Sequence, residues 1–164
     1  MRHVKFAPQK RNPLTEKIII LDHGSQYTQL IARRIRELNV YCEIHPYTAA
    51  GSILQDNGIK GVILSGSPFS VHDKDAPDTA LNGTAGKIPV LAICYGAQLL
   101  AKRSGAEVAR SQVREYGRAK LAVVDGENSL LGGISPGSQV WMSHADTIVA
   151  PSEEMEVIAS TDHV

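Results

Sequence analysis

A thiol placed where a buried strand gives way to a helix is the most chemically pointed feature of this sequence. The stretch Ile88-Pro89-Val90-Leu91-Ala92-Ile93-Cys94-Tyr95-Gly96-Ala97-Gln98 runs apolar as far as Cys94. It meets Gly96 two residues later and passes at once into the helix-compatible Ala97–Arg103. Strand, sharp turn and helix in that order are the layout of a nucleophile elbow, where small residues two before and two after the nucleophile let the chain bend. Ala92 and Gly96 hold those places. Such a turn lifts Sγ above the sheet edge and points a helix N-terminus at it. The positive helix end favours thiolate over thiol, so the expectation is a lowered Cys94 pKa. The Tyr95 N–H is also freed to hold an oxyanion. A buried cysteine at a strand end satisfies the bare pattern equally well, because free Cys is among the most buried residue types.

The elements that must position this turn follow from the apolar patterning. Lys17–Leu21 is a short continuous apolar run, as expected of a strand buried on both faces. After Asp22-His23-Gly24-Ser25, with Ser25 as a candidate helix cap, residues 26–38 carry Tyr27, Leu30, Ile31, Ile35 and Leu38 at helical spacing. Tyr41–Ile44 reads as a second strand, with Cys42 as packing, and β-α-β order implies a parallel sheet with a right-handed crossover. Residues 48–57 predict a short helix or turn, and Gly61–Leu64 a third strand opening into Ser65-Gly66-Ser67-Pro68. Ligands in such sheets bind outside the carboxyl ends of strands, which sets this loop beside the Cys94 turn. His23 and His45 flank strand ends and are expected to be satisfied structural histidines. Beyond Ser104-Gly105 the pattern turns to β-structure: 106–109, 120–124, 139–142, 147–149 and 156–160, separated by glycine and proline turns. Trp141-Met142-Ser143-His144-Ala145-Asp146 is expected to end one of these strands. The predicted fold class is α/β: three layers, a mostly parallel central sheet with helices on both faces, and added β-strands in the C-terminal third.

Composition bounds the function classes. The 164 residues suit one domain, and 43% apolar content is ordinary for a globular chain. Seventeen basic side chains balance seventeen acidic ones, so no field argues for a nucleic-acid partner or an anionic membrane. Two cysteines and the lack of a signal-like or long apolar segment make a reducing cytoplasm the default. No Cys/His spacing resembles a zinc site. Residues 1–16 are polar, basic and aperiodic, and are expected to form a loose N-terminal extension.

Several stretches together resemble one family. Ile93–Gln98 resembles the nucleophile motif of class I, triad-type glutamine amidotransferases. Asp22-His23-Gly24-Ser25-Gln26-Tyr27-Thr28-Gln29-Leu30-Ile31-Ala32-Arg33-Arg34 resembles the opening of the amidotransferase domain of GMP synthetases, and Leu64–Pro68 resembles its oxyanion loop. Arg114-Glu115-Tyr116-Gly117 and Trp141–Asp146 resemble its later motifs, in the expected order and spacing. The resemblance spans 17–164 and implies a flavodoxin-like amidotransferase fold. It implies Cys94 as catalytic nucleophile attacking the side-chain amide of L-glutamine, through a glutamyl thioester, to give glutamate and ammonia. It implies backbone N–H groups of Ser67 and Tyr95 as the oxyanion hole, and Gly66, Gln98, Ser143, His144 and Asp146 as substrate-binding. It implies no cofactor or metal in this domain. The ammonia is expected to serve an ATP-pyrophosphatase (synthetase) domain or subunit that uses ATP and Mg to convert XMP to GMP.

The sequence departs from the family pattern at three points. Ser67 stands where glycine is common, which would strain a loop needing positive φ. Ala145 replaces a common glycine. The family's His-Pro-Glu motif, carrying the general base and its orienting acid, has no match; the sequence reads Thr161-Asp162-His163-Val164 ahead of where that motif falls. His144 sits in the substrate-gripping segment, and His163 does not match the motif. Little or no glutaminase activity is therefore expected of these residues alone. The competing expectation is a catalytically silent module that only binds a ligand or partner. A cysteine hydrolase or redox protein of a related fold is disfavoured by the 114–117 and 141–146 segments, and a dinucleotide-binding domain by the lack of G-x-G-x-x-G after the first strand.

Overall fold

The computed structural model describes residues 16–81 and 86–162, with the backbone alone described for 111–116. The extension up to Thr15 and His163 lie outside the described residues. Continuous apolar runs build the first sheet. β1 (Lys17–Asp22), β2 (Cys42–Pro46), β3 (Ile59–Leu64) and β4 (Val90–Ala92) pair in parallel in the order β2-β1-β3-β4. The predicted neighbours around residues 17–21, 61–64 and 88–93 are neighbours, with Ile20 opposite Ile63 and Val62 opposite Val90.

The pleat sends alternate residues of β1 to two cores, which is why both faces had to be apolar. Ile19 and Leu21 pack with Val62, Leu64, Ala50 and Leu54 on one face, while Ile20 packs with Ala32, Cys42 and Ile63 on the other. Each fully buried Ile or Leu of this kind contributes about 1.5–3 kcal/mol. A 3₁₀ turn (Tyr47–Ala49) leads into α2 (Ala50–Ile53), which covers one face together with Leu100 of α3 (Tyr95–Arg103), while α1 (Thr28–Glu37) covers the other.

The inner face of α1 differs from the expected one. Tyr27, Leu30 and Leu38 are exposed, while Thr28 and Ala32 face inward with Ile31 and Ile35 beside them. Small residues let this helix lie close to the sheet. Ser25 does not cap it either: the Ser25 Oγ accepts from Tyr27 N (3.1 Å), and Tyr27 holds the N-cap position without a side-chain bond. At the amino edge of the sheet the buried Lys17 ammonium bonds Asp56 (2.9 Å) and Glu43 (3.3 Å), and the Asp56 bond leads in holding it above the ordinary lysine range.

The C-terminal third forms a second, antiparallel sheet, β6-β5-β7, from β5 (Glu107–Val124), β6 (Gln139–Ala150) and β7 (Ala159–Thr161). The short strands expected at 106–109 and 120–124 are one strand, as are those at 139–142 and 147–149. Register shifts at Glu107/Val108 and between Arg110 and Glu115 break the alternation that a sequence pattern needs. Trp141–Asp146 therefore lies within β6 rather than at a strand end. The second sheet joins α3 through a cluster of Val71, Tyr95, Leu99, Ala101, Ala106 and Val108, with Ile148 and Met155 against it.

Candidate active site

Cys94 sits between β4 and α3, at the N-cap position, with φ 50° and ψ −116°. Those angles match the first central residue of a type II′ turn, a place that favours glycine. A non-glycine residue held there stores about 1–3 kcal/mol of strain, so the surroundings must impose it. They do so through the Ile93 N–H, which donates to Leu64 O (3.0 Å), Gly96 N–H to Ile93 O (3.0 Å) and Gln98 N–H to Cys94 O (3.1 Å). Gly96 is required by close approach: a Cβ there would stand 2.7 Å from Leu64 Cβ and 2.8 Å from Leu64 O. Tyr95 is 2% exposed, and its hydroxyl donates to the Pro77 carbonyl; burial pushes its pKa up to about 12.

The loop after β3 is fixed just as firmly. Ser65 is fully buried; its N–H donates to Leu21 O (3.1 Å), and its Oγ accepts from His23 N (2.9 Å) and donates to Gly66 O (2.9 Å). A Cβ on Gly66 would lie 3.5 Å from Cys94 Cβ and 3.6 Å from Ser25 Oγ, so the loop backbone passes directly beside the nucleophile turn. Positive φ among described non-glycine residues occurs at Asn39 and Cys94 only, so Ser67 occupies its place without the strain its side chain would bring in the left-handed region. The Ser67 Oγ accepts from Phe69 N (3.3 Å).

A pocket of about 450 Å³ opens over this turn. Cys94, Tyr95 and Gln98 form its floor, Gly66 and Ser67 one wall, and Ser143 and His144 of β6 another. Gly24, Ser25, Gln26 and Tyr27 complete it, together with Pro68, Phe69 and Ala145, none of which the motif spacing marks as a site residue. The signal for 24–27 was available, since this loop also leaves the carboxyl end of a parallel strand.

Asp146 departs from its expected place among the substrate contacts. It is 1% exposed and does not line the pocket. Its carboxylate accepts from Ser70 Oγ (2.9 Å) and Val71 N (2.8 Å), and its carbonyl accepts from Gln98 Nε2 (2.6 Å).

The expected lowering of the Cys94 pKa is also corrected. The residue is exposed to the pocket, yet protein encloses the thiol's inner side, and this burial pushes the thiol up. Losing water disfavours the charged thiolate relative to the neutral thiol. The other cysteine and two of the histidines are structural, as expected. Cys42 is 2% exposed, with Sγ 3.5 Å from Ala32 O. His23 bonds Leu21 O and Thr79 Oγ1, and His45 bonds Glu43. Among the described residues no cluster of three or more His, Cys, Asp or Glu is placed to hold a metal ion, and no helix is long and apolar enough to cross a membrane.

A strained cysteine at a strand–helix turn, a backbone loop beside it and an open pocket above define an amidotransferase-type site on a parallel α/β sheet. The family model for class I glutamine amidotransferases matches residues 19–164, and the chain belongs to that family. It is 58% identical over 151 residues to the glutamine-hydrolyzing GMP synthase of Cytophaga hutchinsonii and 52% identical to that of Porphyromonas gingivalis. Each alignment covers 92% of this chain and 29% of the relative, so the chain spans less than a third of the curated relatives it matches. Among solved structures, a GMP synthase subunit protein from Thermoplasma acidophilum superposes with a TM-score of 0.72 at 31% identity, over 91% of this chain and 74% of that one. A glutamine amidotransferase from Thermotoga maritima shares the fold, with a TM-score of 0.69 at 20% identity over 90% and 68% of the two chains.

Proposed function

We propose that this chain is the glutaminase part of a GMP synthetase. The strained Cys94 turn beside the Gly66–Ser67 backbone carries the reading. The Cys94 thiolate attacks the side-chain amide carbon of glutamine and forms a C–S bond. The carbonyl oxygen becomes an oxyanion, met by the N–H groups of Ser67 and Tyr95. Tyr95 opens α3, where the first N–H groups have no partner within the helix. The C–N bond then breaks, the nitrogen takes a proton and leaves as ammonia, and a glutamyl thioester remains. Water cleaves the thioester to glutamate and restores the thiol. Gly66, Gln98, Ser143 and His144 hold the substrate.

Ammonia made here serves an ATP- and Mg-dependent synthetase domain or subunit that aminates XMP to GMP, in purine nucleotide biosynthesis in the cytoplasm. This is a ligase using glutamine as amide donor, and the amidotransferase part itself works without a cofactor. A raised thiol needs a base to become a nucleophile, and a positioned histidine contributes about 10²–10⁴-fold. None of the residues matched to the family supplies that base, so these 164 residues alone turn glutamine over weakly or not at all. A silent binding module is the second reading, favoured by the burial that raises the Cys94 thiol.

The glutaminase reading needs glutamine to occupy the pocket. Cys94 alkylation by iodoacetamide, followed by peptide mass spectrometry, is expected to be slowed by glutamine and unaffected by asparagine, with Cys42 unlabelled in the folded protein. Equal labelling of Cys94 with and without glutamine would sink the assignment. Glutamate release abolished by Cys94→Ala separates the catalytic reading from the silent one.

A further inference from the structure

Three elements that line the pocket meet at one residue that the pocket itself does not touch. The Gly66–Phe69 loop comes from β3, Gln98 from α3, and Ser143 to Ala145 from β6. Asp146 follows the β6 segment directly, is 1% exposed, and bonds Gln98 and the two residues that follow the loop. Its two carboxylate oxygens divide the work: Oδ1 takes the Ser70 hydroxyl at 2.9 Å and Oδ2 the Val71 N–H at 2.8 Å, just beyond the loop. Its backbone carbonyl takes the Gln98 amide at 2.6 Å. That last bond also orients Gln98, since a carbonyl accepts only from the NH₂ end and the amide oxygen is left to other partners. The loop is held from further points on the same side, with His72 Nε2 2.8 Å from Val108 O and Lys102 Nζ donating to Val71 O at 2.7 Å.

We propose that Asp146 is a positioning residue for glutamine hydrolysis: it clamps the oxyanion loop and the nucleophile helix to the β6 wall, and it does not contact substrate. The inference rests on the glutaminase reading. Its chemistry is that of registration. The oxyanion donor at Ser67 and the donor at Tyr95 sit on different elements, so their separation is a property of whatever ties those elements together. An error of about 1 Å in such a separation costs on the order of 100-fold in rate. A carboxylate suits the place because it accepts two bonds at once, from a hydroxyl and from a backbone N–H. Asparagine can keep both contacts, by accepting the Val71 N–H with its oxygen and donating its NH₂ to Ser70 Oγ. Alanine keeps neither.

The test uses Asp146→Asn, Asp146→Ala and Ser70→Ala in the purified chain, with two readouts. The first is inactivation by 6-diazo-5-oxo-L-norleucine, a glutamine-shaped diazoketone whose protonated carbon loses N₂ to the Cys94 thiolate. The second is hydrogen exchange at the Val71 amide. The clamp predicts that Asp146→Asn keeps Val71 protected and inactivates within about twofold of the parent, because the geometry survives the loss of charge. Asp146→Ala should expose Val71 to exchange and lower the maximal inactivation rate about 10–100-fold, with the half-saturating concentration changed far less. Ser70→Ala should fall between them, and it carries the test if Asp146→Ala does not fold. A rise of about tenfold in the half-saturating concentration for Asp146→Asn, with Val71 still protected, would overturn the clamp and make the carboxylate a substrate contact. So would an Asp146→Ala protein with unchanged exchange and unchanged inactivation. If the parent reacts with iodoacetamide but not with the diazoketone, the glutaminase reading fails on its own, and the clamp stands or falls on Val71 exchange.

Discussion

At Cys94 the backbone carries a conformation that its own side chain opposes. Removing the sulfur alone, in Cys94→Ala, leaves the Cβ and the strain at φ 50°. Cys94→Gly removes the Cβ. Relief of about 1–3 kcal/mol, less about 0.4–1 kcal/mol for the freer unfolded glycine, should make Cys94→Gly more stable than Cys94→Ala by roughly 1 kcal/mol. Paired thermal or urea unfolding of the two inactive variants measures this. Equal stabilities would mean that the turn is not strained. His23 carries a different kind of tension, because burial lowers its pKa below the usual 6.5 while Leu21 O and Thr79 Oγ1 occupy its ring nitrogens. The unfolded chain binds this proton near pH 6.5 and the folded one only at lower pH. Stability is therefore full above about 6.5 and is lost as pH falls from there towards the depressed folded pKa. Urea midpoints between pH 7.5 and 5 should fall with acid in the parent and fall less in His23→Phe. Parallel slopes in the two proteins would place the acid sensitivity elsewhere.

The turn is only as good as the seating of α3 on β3, and Gly96 is the seat. A methyl group there meets Leu64 at both its side chain and its backbone oxygen, neither of which is the loose end of a long chain. Gly96→Ala should cost about 1–3 kcal/mol by overpacking and should slow Cys94 alkylation by displacing the helix that carries it. An alanine variant with parent stability and parent reactivity would show that α3 does not rest on β3 as described. This close approach was legible from the small residue two positions after the thiol, and β1, β3 and β4 were legible from unbroken apolar runs. The ribbon was not. β5 and β6 expose much of both faces, so Trp141, Val149 and Val123 stand in solvent beside polar neighbours, and the register shifts interrupt what alternation remains. For α1, hydrophobicity pointed to Tyr27, Leu30, Ile31, Ile35 and Leu38; Ile31 and Ile35 do pack on the sheet, but the closest places went to Thr28 and Ala32 by size. Asp146 could not be placed from spacing at all: its carboxylate partners lie 75 and 76 residues away along the chain.

Across the whole molecule, the two sheets share the nucleophile helix. Leu99 turns from the α3 face towards Val71, Val108 and Ile148, while Leu100, one residue on, packs against Val62 and Leu64 with the other core. A helix with one residue in each core should couple their unfolding, even though the sheets have no strand in common. Leu99 is 7% exposed, so Leu99→Ala removes a buried side chain and should cost about 2–5 kcal/mol. The informative quantity is where that loss is felt. Trp141, the single tryptophan, lies on β6 with the Arg118 guanidinium 5.4 Å from its ring, and it reports the antiparallel sheet. Far-UV circular dichroism at helical wavelengths reports α1 and α3. If the cores are coupled, both signals in Leu99→Ala move to the same lower urea midpoint and remain coincident, as one two-state transition requires. A helical signal that shifts while the Trp141 signal stays at the parent midpoint would show two independent units. The pocket would then lie between bodies free to move apart, and the Asp146 clamp would be what holds it closed.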